Sequence, residues 1–338
     1  MNETFCLEVD EQSGVGEGQR RAAAISRRLG FDEDATGRVS IVTRELASNM
    51  VKHAGGGVLV VQPAASGGAP GIELLALDEG PGMRNIGESL RDGYSTAGSS
   101  GTGLGAVRRF SSAFDIYAPP GAGTAAFSRI PATAPKQAPR PDAFSIGALC
   151  LPLRGEEVCG DAWAVHETAA RSLILVADGL GHGPDAAVAA DQAVRTFRVR
   201  PERGLAEILT SLDAALRRTR GAAVAVAEIL PRQGVVNVAG LGNIGGVIYG
   251  GESARHLVIS DGTAGSGTRK AVSRAFTWPS DGLLVMHSDG LSGRWDLSGY
   301  PGLQSRHPAL IAGVLYRDHH RLRDDVTVVV VARPRETS

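Results

Sequence analysis

A proline-rich break at residues 131–142 is the feature that most constrains the fold of this 338-residue chain. The stretch PATAPKQAPRPD contains four prolines. Each proline fixes φ and removes a backbone donor, which disfavours helix and strand alike and favours an extended spacer. A proline-rich loop inside one domain is the alternative, but the motifs on its two sides carry different chemistry. The sequence therefore predicts two domains, 1–130 and 143–334, with a linker at 131–142.

Composition excludes several classes of protein. Hydrophobic residues make up 43% of the chain and charged residues 21%, so each half can bury a core of its own. The formal net charge is −1, and neither half has the basic stripe of a nucleic-acid-binding protein. The three cysteines form no CxxC pair, which is typical of reduced thiols. With no signal-peptide pattern and no apolar run of the ~18–20 residues that a membrane span needs, we expect a cytoplasmic protein without a membrane partner.

Hydrophobic periodicity predicts a mixed fold, of class α+β. The N-terminal half is predicted to contain helices at 17–30, 33–53 and near 104–113, and strands at 58–63, 72–78 and in a pair within 114–130. The C-terminal half reads as many strands with two helices between them, at 184–198 and 203–218. That order predicts two packed sheets with helices outside, an αββα sandwich.

Three motifs in the N-terminal half indicate a nucleotide site. Glu45 and Asn49 are four residues apart on a predicted helix and share one face, where a carboxylate can deprotonate a hydroxyl and an amide oxygen can bind Mg²⁺. Asp78 ends a strand and can accept a hydrogen bond from an adenine amine, while Gly80 and Gly82 let a ligand approach the backbone. A glycine-rich segment opens the next helix and offers backbone N–H groups to phosphates. Its residues are Gly101, Thr102, Gly103, Leu104 and Gly105.

Each motif alone has an ordinary structural explanation, as a solvated helix face, a plain turn or a promiscuous glycine pattern. Together, ELASNMVKHA, DEGPGM and GTGLGAVRRF resemble the N, G1 and G2 boxes of the GHKL ATPase superfamily, and most closely the RsbT-type anti-sigma-factor serine kinases. The resemblance covers roughly residues 5–130 and implies a Bergerat-type ATP-binding α/β sandwich. It implies that Glu45 is the general base, Asn49 the Mg²⁺ ligand and Asp78 the adenine anchor, with 101–105 facing the phosphates. It further implies ATP as cofactor, a STAS-domain protein as substrate, and a homodimer at the level of the family.

Acidic residues recur at strand ends in the C-terminal half, where core packing does not need them. Several carboxylates gathered at one end of a sheet would repel one another without divalent cations, and oxygen-only ligands suit Mg²⁺ or Mn²⁺. Two such ions could activate a water and neutralise a phosphoryl group. For any single Asp-Gly pair, a hairpin turn is the commoner explanation. The residues in question are Asp161, Asp178, Asp289, Asp324 and Asp325.

The stretches RGEEVCGDAW, LVADGLGHG, SDGL and DDVTVVVV, spread over 143–333, resemble the PPM family of metal-dependent phosphatases in its SpoIIE-like, RsbX-type branch. The resemblance implies that Asp178 bridges two Mn²⁺ or Mg²⁺ ions, assisted by the Gly179 carbonyl. It assigns Asp289 and Asp324 to one ion and Asp161 to the other, directly or through water, and leaves Asp325 open because family members vary there. Arg154 is a phosphate-gripping residue by position only. His182 positions phosphate, protonates the leaving serine oxygen or is a plain loop histidine, and Cys159 is interpreted as packing.

Three functions remain open from the sequence. The leading hypothesis is a bifunctional regulator in a stressosome or sigma-factor pathway, which phosphorylates and dephosphorylates a serine or threonine of a STAS-domain partner. The second is a phosphatase whose N-terminal domain only binds nucleotide and docks the protein. The third is a scaffold with both sites silent, which conflicts with the complete acidic set.

Overall fold

The chain forms two compact units in the computed structural model. Of the described residues, the first unit holds those within 4–133 and 300–317, and the second those within 144–299 and 318–333. None of the described helices is both long and apolar enough to cross a membrane. Most of the predicted linker lies outside the described residues. The structure describes residues 4–64, 70–89, 103–133, 144–250, 253–267 and 271–333.

The first unit is built on one antiparallel sheet of five strands in the order β1-β2-β3-β5-β4. The predicted helices and strands of this half are present, although the first helix begins at Gln12 rather than at 17. The edge strand β1 was not among the predicted elements. In chain order the elements are β1 (Phe5–Val9), α1 (Gln12–Arg28), α2 (Glu33–Ala54), β2 (Gly57–Pro63), β3 (Gly71–Asp78), α3 (Ile86–Ser89), α4 (Gly103–Phe110), β4 (Ala113–Tyr117) and β5 (Thr124–Pro131).

Helices α1, α2 and α4 pack their apolar sides on one face of this sheet and form a continuous core with it. The other face is covered by the segment 300–317, which includes most of helix α7 (Pro308–His319). There a Cβ on Gly313 would lie 3.0 Å from a methyl carbon of Leu77, and the His307 ring stacks on Phe127 with centroids 4.2 Å apart. Strand β3 is accordingly buried at every position.

The second unit contains two antiparallel sheets of five strands each, in the orders β13-β10-β9-β8-β7 and β12-β11-β14-β15-β6. Both predicted helices are present, and the short strands β12 and β13 at the sheet edges were not predicted. The elements are β6 (Ser145–Leu151), β7 (Asp161–Glu167), β8 (Ser172–Gly179), α5 (Pro184–Val199), α6 (Leu205–Leu216), β9 (Ala222–Leu230), β10 (Val235–Leu241), β11 (Gly245–Gly250), β12 (Ser253–His256), β13 (Arg274–Thr277), β14 (Leu283–His287) and β15 (Val326–Ala332).

The two sheets of this unit share an apolar core. Ile174, Val176 and Ala225 of one sheet pack in a single cluster with Met286 and Val329 of the other. A second cluster fills the space between helices α5 and α6 and the outer face of the first sheet. The alternation of side chains along each strand produces this layering, because successive residues point to opposite faces. The layers match the predicted pair of packed sheets with helices outside.

Candidate functional sites

Glu45 and Asn49 lie one turn apart on the same side of helix α2, and both are half-buried. The Asp32 carboxylate caps this helix by accepting a hydrogen bond from the Ala35 backbone nitrogen at 2.7 Å, a contact of about 1 kcal/mol. The Oε1 atom of Glu45 lies 3.2 Å from Nη2 of Arg44, an exposed neighbour. The structure therefore places the predicted base and the predicted Mg²⁺ ligand together on one helix face.

Asp78 ends strand β3, and its carboxylate is held by the backbone. Its Oδ1 atom accepts hydrogen bonds from the Gly80 nitrogen at 2.9 Å and from the Thr124 nitrogen at 3.0 Å. Burial raises the pKa of Asp78, while these two donors and the Arg317 guanidinium oppose that rise. Within the described part of the chain Oδ2 has no donor. One oxygen is thus fixed, and the other is left to accept a hydrogen bond from a ligand amine.

Close backbone approaches explain the glycines that follow Asp78. Gly82 has φ +67°, and a Cβ there would lie 2.2 Å from the Pro119 carbonyl oxygen. A Cβ on Gly80 would lie 2.6 Å from that of Ala54 in helix α2. Both contacts are far inside van der Waals distance, so only glycine fits at either position.

The glycine-rich segment is described only in part. Gly103, Leu104 and Gly105 form the first turn of α4, whereas Gly101 and Thr102 lie outside the described residues. The Leu104 side chain is buried in the core of the first unit, so any contact it makes with a phosphate would come from its backbone. A Cβ on Gly103 would meet no described atom within 4 Å, so space is open at the start of the helix.

In the second unit, Asp161 and Asp178 face each other across two strands. Asp161 begins β7, Asp178 stands next to the end of β8, and the two are direct antiparallel partners. Directly opposed side chains project from the same face with Cβ atoms about 5 Å apart. Asp161 is buried, and its Oδ2 has no hydrogen-bond partner in the structure. Gly179 lies beside them, packed so closely on Ala186 that a Cβ would clash with that residue's carbonyl oxygen at 2.2 Å.

The remaining predicted carboxylates lie where β14 ends and β15 begins, on neighbouring strands. Asp289 Oδ2 accepts a hydrogen bond from Asn243 Nδ2 at 2.7 Å. Asp325 Oδ1 accepts from the Leu153 nitrogen at 2.8 Å, while its buried Oδ2 has no partner in the structure. Asp324 precedes it and is half-buried.

Electrostatics show that these carboxylates act on one another. Burial raises the pKa of Asp178 to about 8, and the charges of four other aspartates add to the shift. Burial likewise raises the pKa of Asp161 and of Asp324. Such shifts mark a cluster whose negative charge is only partly compensated by protein groups. The four aspartates acting on Asp178 are Asp161, Asp289, Asp324 and Asp325.

The donor set fits divalent cations. It consists of oxygen atoms, which Mg²⁺ and Mn²⁺ prefer, and two buried carboxylate oxygens, those of Asp161 and Asp325, accept no hydrogen bond from the described residues. Among the described residues, no three acidic, histidine or cysteine side chains already surround one metal-sized point.

The sequence analysis also named His182 and Arg154 as candidates for contact with phosphate. His182 Nδ1 lies 2.7 Å from Glu156 Oε1 on the surface, and its charge lowers the pKa of both Asp324 and Asp325. Arg154 is exposed in the loop between β6 and β7, and its role in gripping phosphate stays a prediction.

The interpretation of Cys159 as packing is confirmed. It is buried with its sulfur 3.5 Å from that of Cys150, and the contact with Cys150 and burial raise the pKa of the Cys159 thiol. A thiol held in its neutral form in this way is a poor nucleophile.

Sequence reasoning missed three residues that hold the site groups. Asn243 holds Asp289, Glu156 holds His182, and Thr124 donates to Asp78. Each partner is distant in sequence from the group it contacts, so local patterns give no signal for the pairing. Of these three residues, only Asn243, in LGNIGG between two predicted strands, could have been found by inspecting strand ends for polar side chains.

Two family models match separate parts of the chain. The model of a histidine kinase-like ATPase domain matches residues 10–125, and that of the stage II sporulation protein E (SpoIIE) matches residues 168–334. The serine/threonine-protein kinase RsbT of Bacillus subtilis (strain 168) is 30% identical over 124 residues, which are 37% of this chain and 93% of that relative.

Two solved structures resemble parts or most of the chain. One, from work on the bacterial stressosome as a modular system adapted to control secondary messenger signalling, is 28% identical with a TM-score of 0.53. It covers 56% of this chain and 100% of its own. The other contains the PP2C phosphatase domain and a fragment of the regulatory domain of the cell fate determinant SpoIIE from Bacillus subtilis. It is 15% identical with a TM-score of 0.50 over 97% of this chain and 100% of its own, a likeness of fold.

Proposed function

We propose that this chain both adds and removes phosphate on a serine or threonine of a STAS-domain partner. The chain belongs to the family of the serine/threonine-protein kinase RsbT, and it carries a SpoIIE-type phosphatase domain behind the kinase-like domain. The domains are taken as 1–130 and 143–334. The protein acts in the cytoplasm, within a partner-switching pathway of the stressosome or sigma-factor kind. The observation that carries the proposal is the cluster of mutually repelling aspartates around Asp178, in which two buried oxygens have no partner.

The phosphatase half works through its aspartates. Bound Mg²⁺ or Mn²⁺ would neutralise the phosphoryl oxygens and supply an activated water. Asp178 would hold both ions, with Asp161 opposite it and Asp289 and Asp324 on the second sheet. Asn243 orients the Asp289 carboxylate through the 2.7 Å hydrogen bond, and the Leu153 nitrogen orients that of Asp325. These contacts fix the ligands before any ion or substrate arrives, which reduces the reorganisation needed during reaction.

The kinase half uses the pair on helix α2 and the anchor at Asp78. Asp78 would accept the adenine amine through Oδ2, while its Oδ1 stays bound to two backbone nitrogens. Asn49 would hold Mg²⁺ beside the ATP phosphates, and Glu45 would accept the proton of the attacking serine hydroxyl. Because one chain holds both activities, the phosphorylation level of the partner would follow the ATP/ADP ratio.

A hydrolysis assay tests the phosphatase half. We expect a phosphoserine STAS-domain protein to lose phosphate in the presence of Mn²⁺ and wild-type protein, and to keep it with Asp178→Asn. Asp191→Asn, an exposed aspartate of helix α5, is the matched control and should behave as wild type. Failure of the wild-type protein to release phosphate with either Mn²⁺ or Mg²⁺ would contradict the proposal.

A kinase assay decides between the leading function and the phosphatase-only alternative. Transfer of labelled phosphate from ATP to the unphosphorylated partner should occur with Asp178→Asn protein and disappear when Glu45→Ala is added. The exposed Glu17→Ala on helix α1 is the control. If Glu45→Ala leaves the partner's phosphorylation unchanged, the N-terminal domain is a nucleotide-dependent binding module.

A further inference from the structure

The loop between helix α7 and strand β15 places two arginines beside the aspartate cluster. The residues of this basic loop are His320, Arg321, Leu322 and Arg323. Together with Asp289 and Asp324 they line an open depression of about 560 Å³. Arg321 and Arg323 are exposed, and within the described residues neither has an ion-pair or hydrogen-bond partner for its side chain. Two unpaired cations therefore stand at the edge of a site made of carboxylates.

The backbone of the basic loop is fixed against the Asp289 turn. The Arg321 nitrogen donates to the Gly290 carbonyl oxygen at 2.7 Å, and the Ser292 nitrogen donates to that of His319 at 2.9 Å. His320 and Leu291 form an isolated antiparallel bridge between these two hydrogen bonds. The loop thus holds its place relative to the predicted metal ligands, while its arginine side chains extend into solvent.

Leu322 stands between the two arginines and is 74% exposed, the largest exposed fraction among the large apolar side chains of the described residues. A side chain of this kind gains from burial under a partner. A cationic pair around an exposed leucine is the surface that an acidic segment with an apolar residue would bind. The phosphate alone does not need it, because the proposed metal ions neutralise the phosphoryl group.

We infer that the basic loop 320–323 selects phosphorylated protein segments in which acidic residues flank the phosphoserine or phosphothreonine. The inference rests on the proposed phosphatase function and adds the class of its substrate. Without the arginines, the aspartate cluster would repel an acidic segment. With them, the flanking carboxylates gain ion pairs at the mouth of the site. Leu322 covers apolar surface next to the same segment.

Three phosphoserine peptides and p-nitrophenyl phosphate test the inference. The peptides share one length and carry acidic, neutral or basic residues around the phosphoserine, and kcat/KM is measured for each with Mn²⁺. We expect wild-type protein to prefer the acidic over the neutral peptide, with a preference that shrinks at about 0.5 M salt because exposed charges are screened. In Arg321→Glu/Arg323→Glu the ratio of acidic to neutral kcat/KM should fall by about tenfold, the size that two exposed ion pairs allow.

Matched variants distinguish an effect of the two loop arginines from an effect of the overall charge of the protein. Arg200→Glu/Arg232→Glu changes two exposed arginines of the same unit and should keep the wild-type ratio. The neutral Arg321→Gln/Arg323→Gln should lose the preference without reversing it, and thermal melts of all variants should agree.

Two results would overturn the inference while the proposed function stands. One is an equal loss on all substrates including p-nitrophenyl phosphate, which would mean that the arginines bind the phosphate itself. The other is an unchanged acidic preference in the double variant. Absence of hydrolysis by wild-type protein with every substrate would overturn the phosphatase, and the inference with it.

Discussion

Asp78 and Asp178 occupy similar places in their units, each at or next to the end of a buried strand and followed within two residues by a glycine, yet their surroundings differ. Asp78 has one oxygen bound to two backbone nitrogens, and no other carboxylate contributes to its raised pKa. Asp178 faces Asp161 directly, and its pKa rises to about 8 under the charges of four other aspartates.

The difference separates two ways of building a binding site. The first carboxylate is already satisfied on one side and needs a neutral donor on the other, which an adenine amine supplies. The second belongs to a set whose negative charge is only partly compensated by protein groups and which calls for cations. The comparison therefore predicts that an Asp→Asn substitution will raise the stability of the metal-free protein at Asp178 and change it little at Asp78.

The largest expected effect is that of Asp178→Asn. It removes the carboxylate proposed to hold both ions, so phosphatase kcat/KM should fall by about 10³-fold, in line with the several kcal/mol that metal-based charge stabilisation supplies. Above pH 8, where Asp178 is ionised in the metal-free protein, the same change removes a repelled charge, so the metal-free protein should melt at a higher temperature than wild type. Phosphate release and calorimetry measure the two effects. A metal-free melting temperature lower than that of wild type would break the comparison.

The stability that a bound metal ion adds at the aspartate cluster should depend on pH. Because the folded-state pKa of Asp178, about 8, is above its unfolded value, the group stabilises the metal-free fold at acidic pH. That stability is fully present below the unfolded pKa and is lost as pH rises through about 8. At one fixed Mn²⁺ or Mg²⁺ concentration, equal to 100 times the Kd at pH 8, we expect the ion to stabilise the protein by about 2.7 kcal/mol at pH 8 and by less at pH 5.5. Denaturant unfolding at both values, with EDTA as the reference, measures this. An equal gain at both would contradict the linkage.

Asp78→Asn tests the other side of the comparison. The asparagine oxygen can still accept from the two backbone nitrogens, but its amide group now presents a donor to the adenine amine. ADP affinity should fall by about tenfold to 100-fold, the cost of one lost charge-assisted hydrogen bond. The melting temperature without nucleotide should change little, unlike that of Asp178→Asn. Calorimetric titration with ADP gives the affinity. An ADP affinity equal to that of wild type would exclude Asp78 as the adenine anchor.

The strand ends are also where sequence and structure agree best. An apolar run that leads to an aspartate, with a glycine one or two residues later, predicts a carboxylate at a sheet edge, and Asp78, Asp178 and Asp289 all follow this pattern. Their roles as ligands stay predictions. Short edge strands such as β1 were missed because five residues give too little periodicity. The packing of residues 300–317 on the first unit was beyond prediction, since helix α7 is apolar nearly throughout and does not indicate which surface it covers.

The side chains that hydrogen-bond to the aspartates were also missed, because partners distant in sequence leave no local pattern. Asn243 is the clearest case. Its hydrogen bond to Asp289 spans 46 residues of sequence and depends on the turn between β10 and β11 meeting the end of β14. Asn243→Ala should leave Asp289 free to turn away from the geometry that an ion requires. Hydrogen bonds that orient a metal-binding side chain change metal affinity by about 10- to 100-fold, so the Mn²⁺ concentration for half-maximal activity should rise by about tenfold.

The expected effect of Asn243→Ala lies on metal affinity more than on the rate at saturating Mn²⁺, because the substitution removes no proposed ligand. Asn237→Ala, an asparagine of β10 that binds Glu228 instead, is the matched control. If both variants keep the wild-type metal requirement, Asp289 is oriented by its strand alone. The contrast with Asp78, whose orientation comes from backbone donors that no side-chain substitution removes, would then disappear. If only Asn243→Ala shifts the requirement, the phosphatase cluster depends on a side-chain support that the adenine site does without.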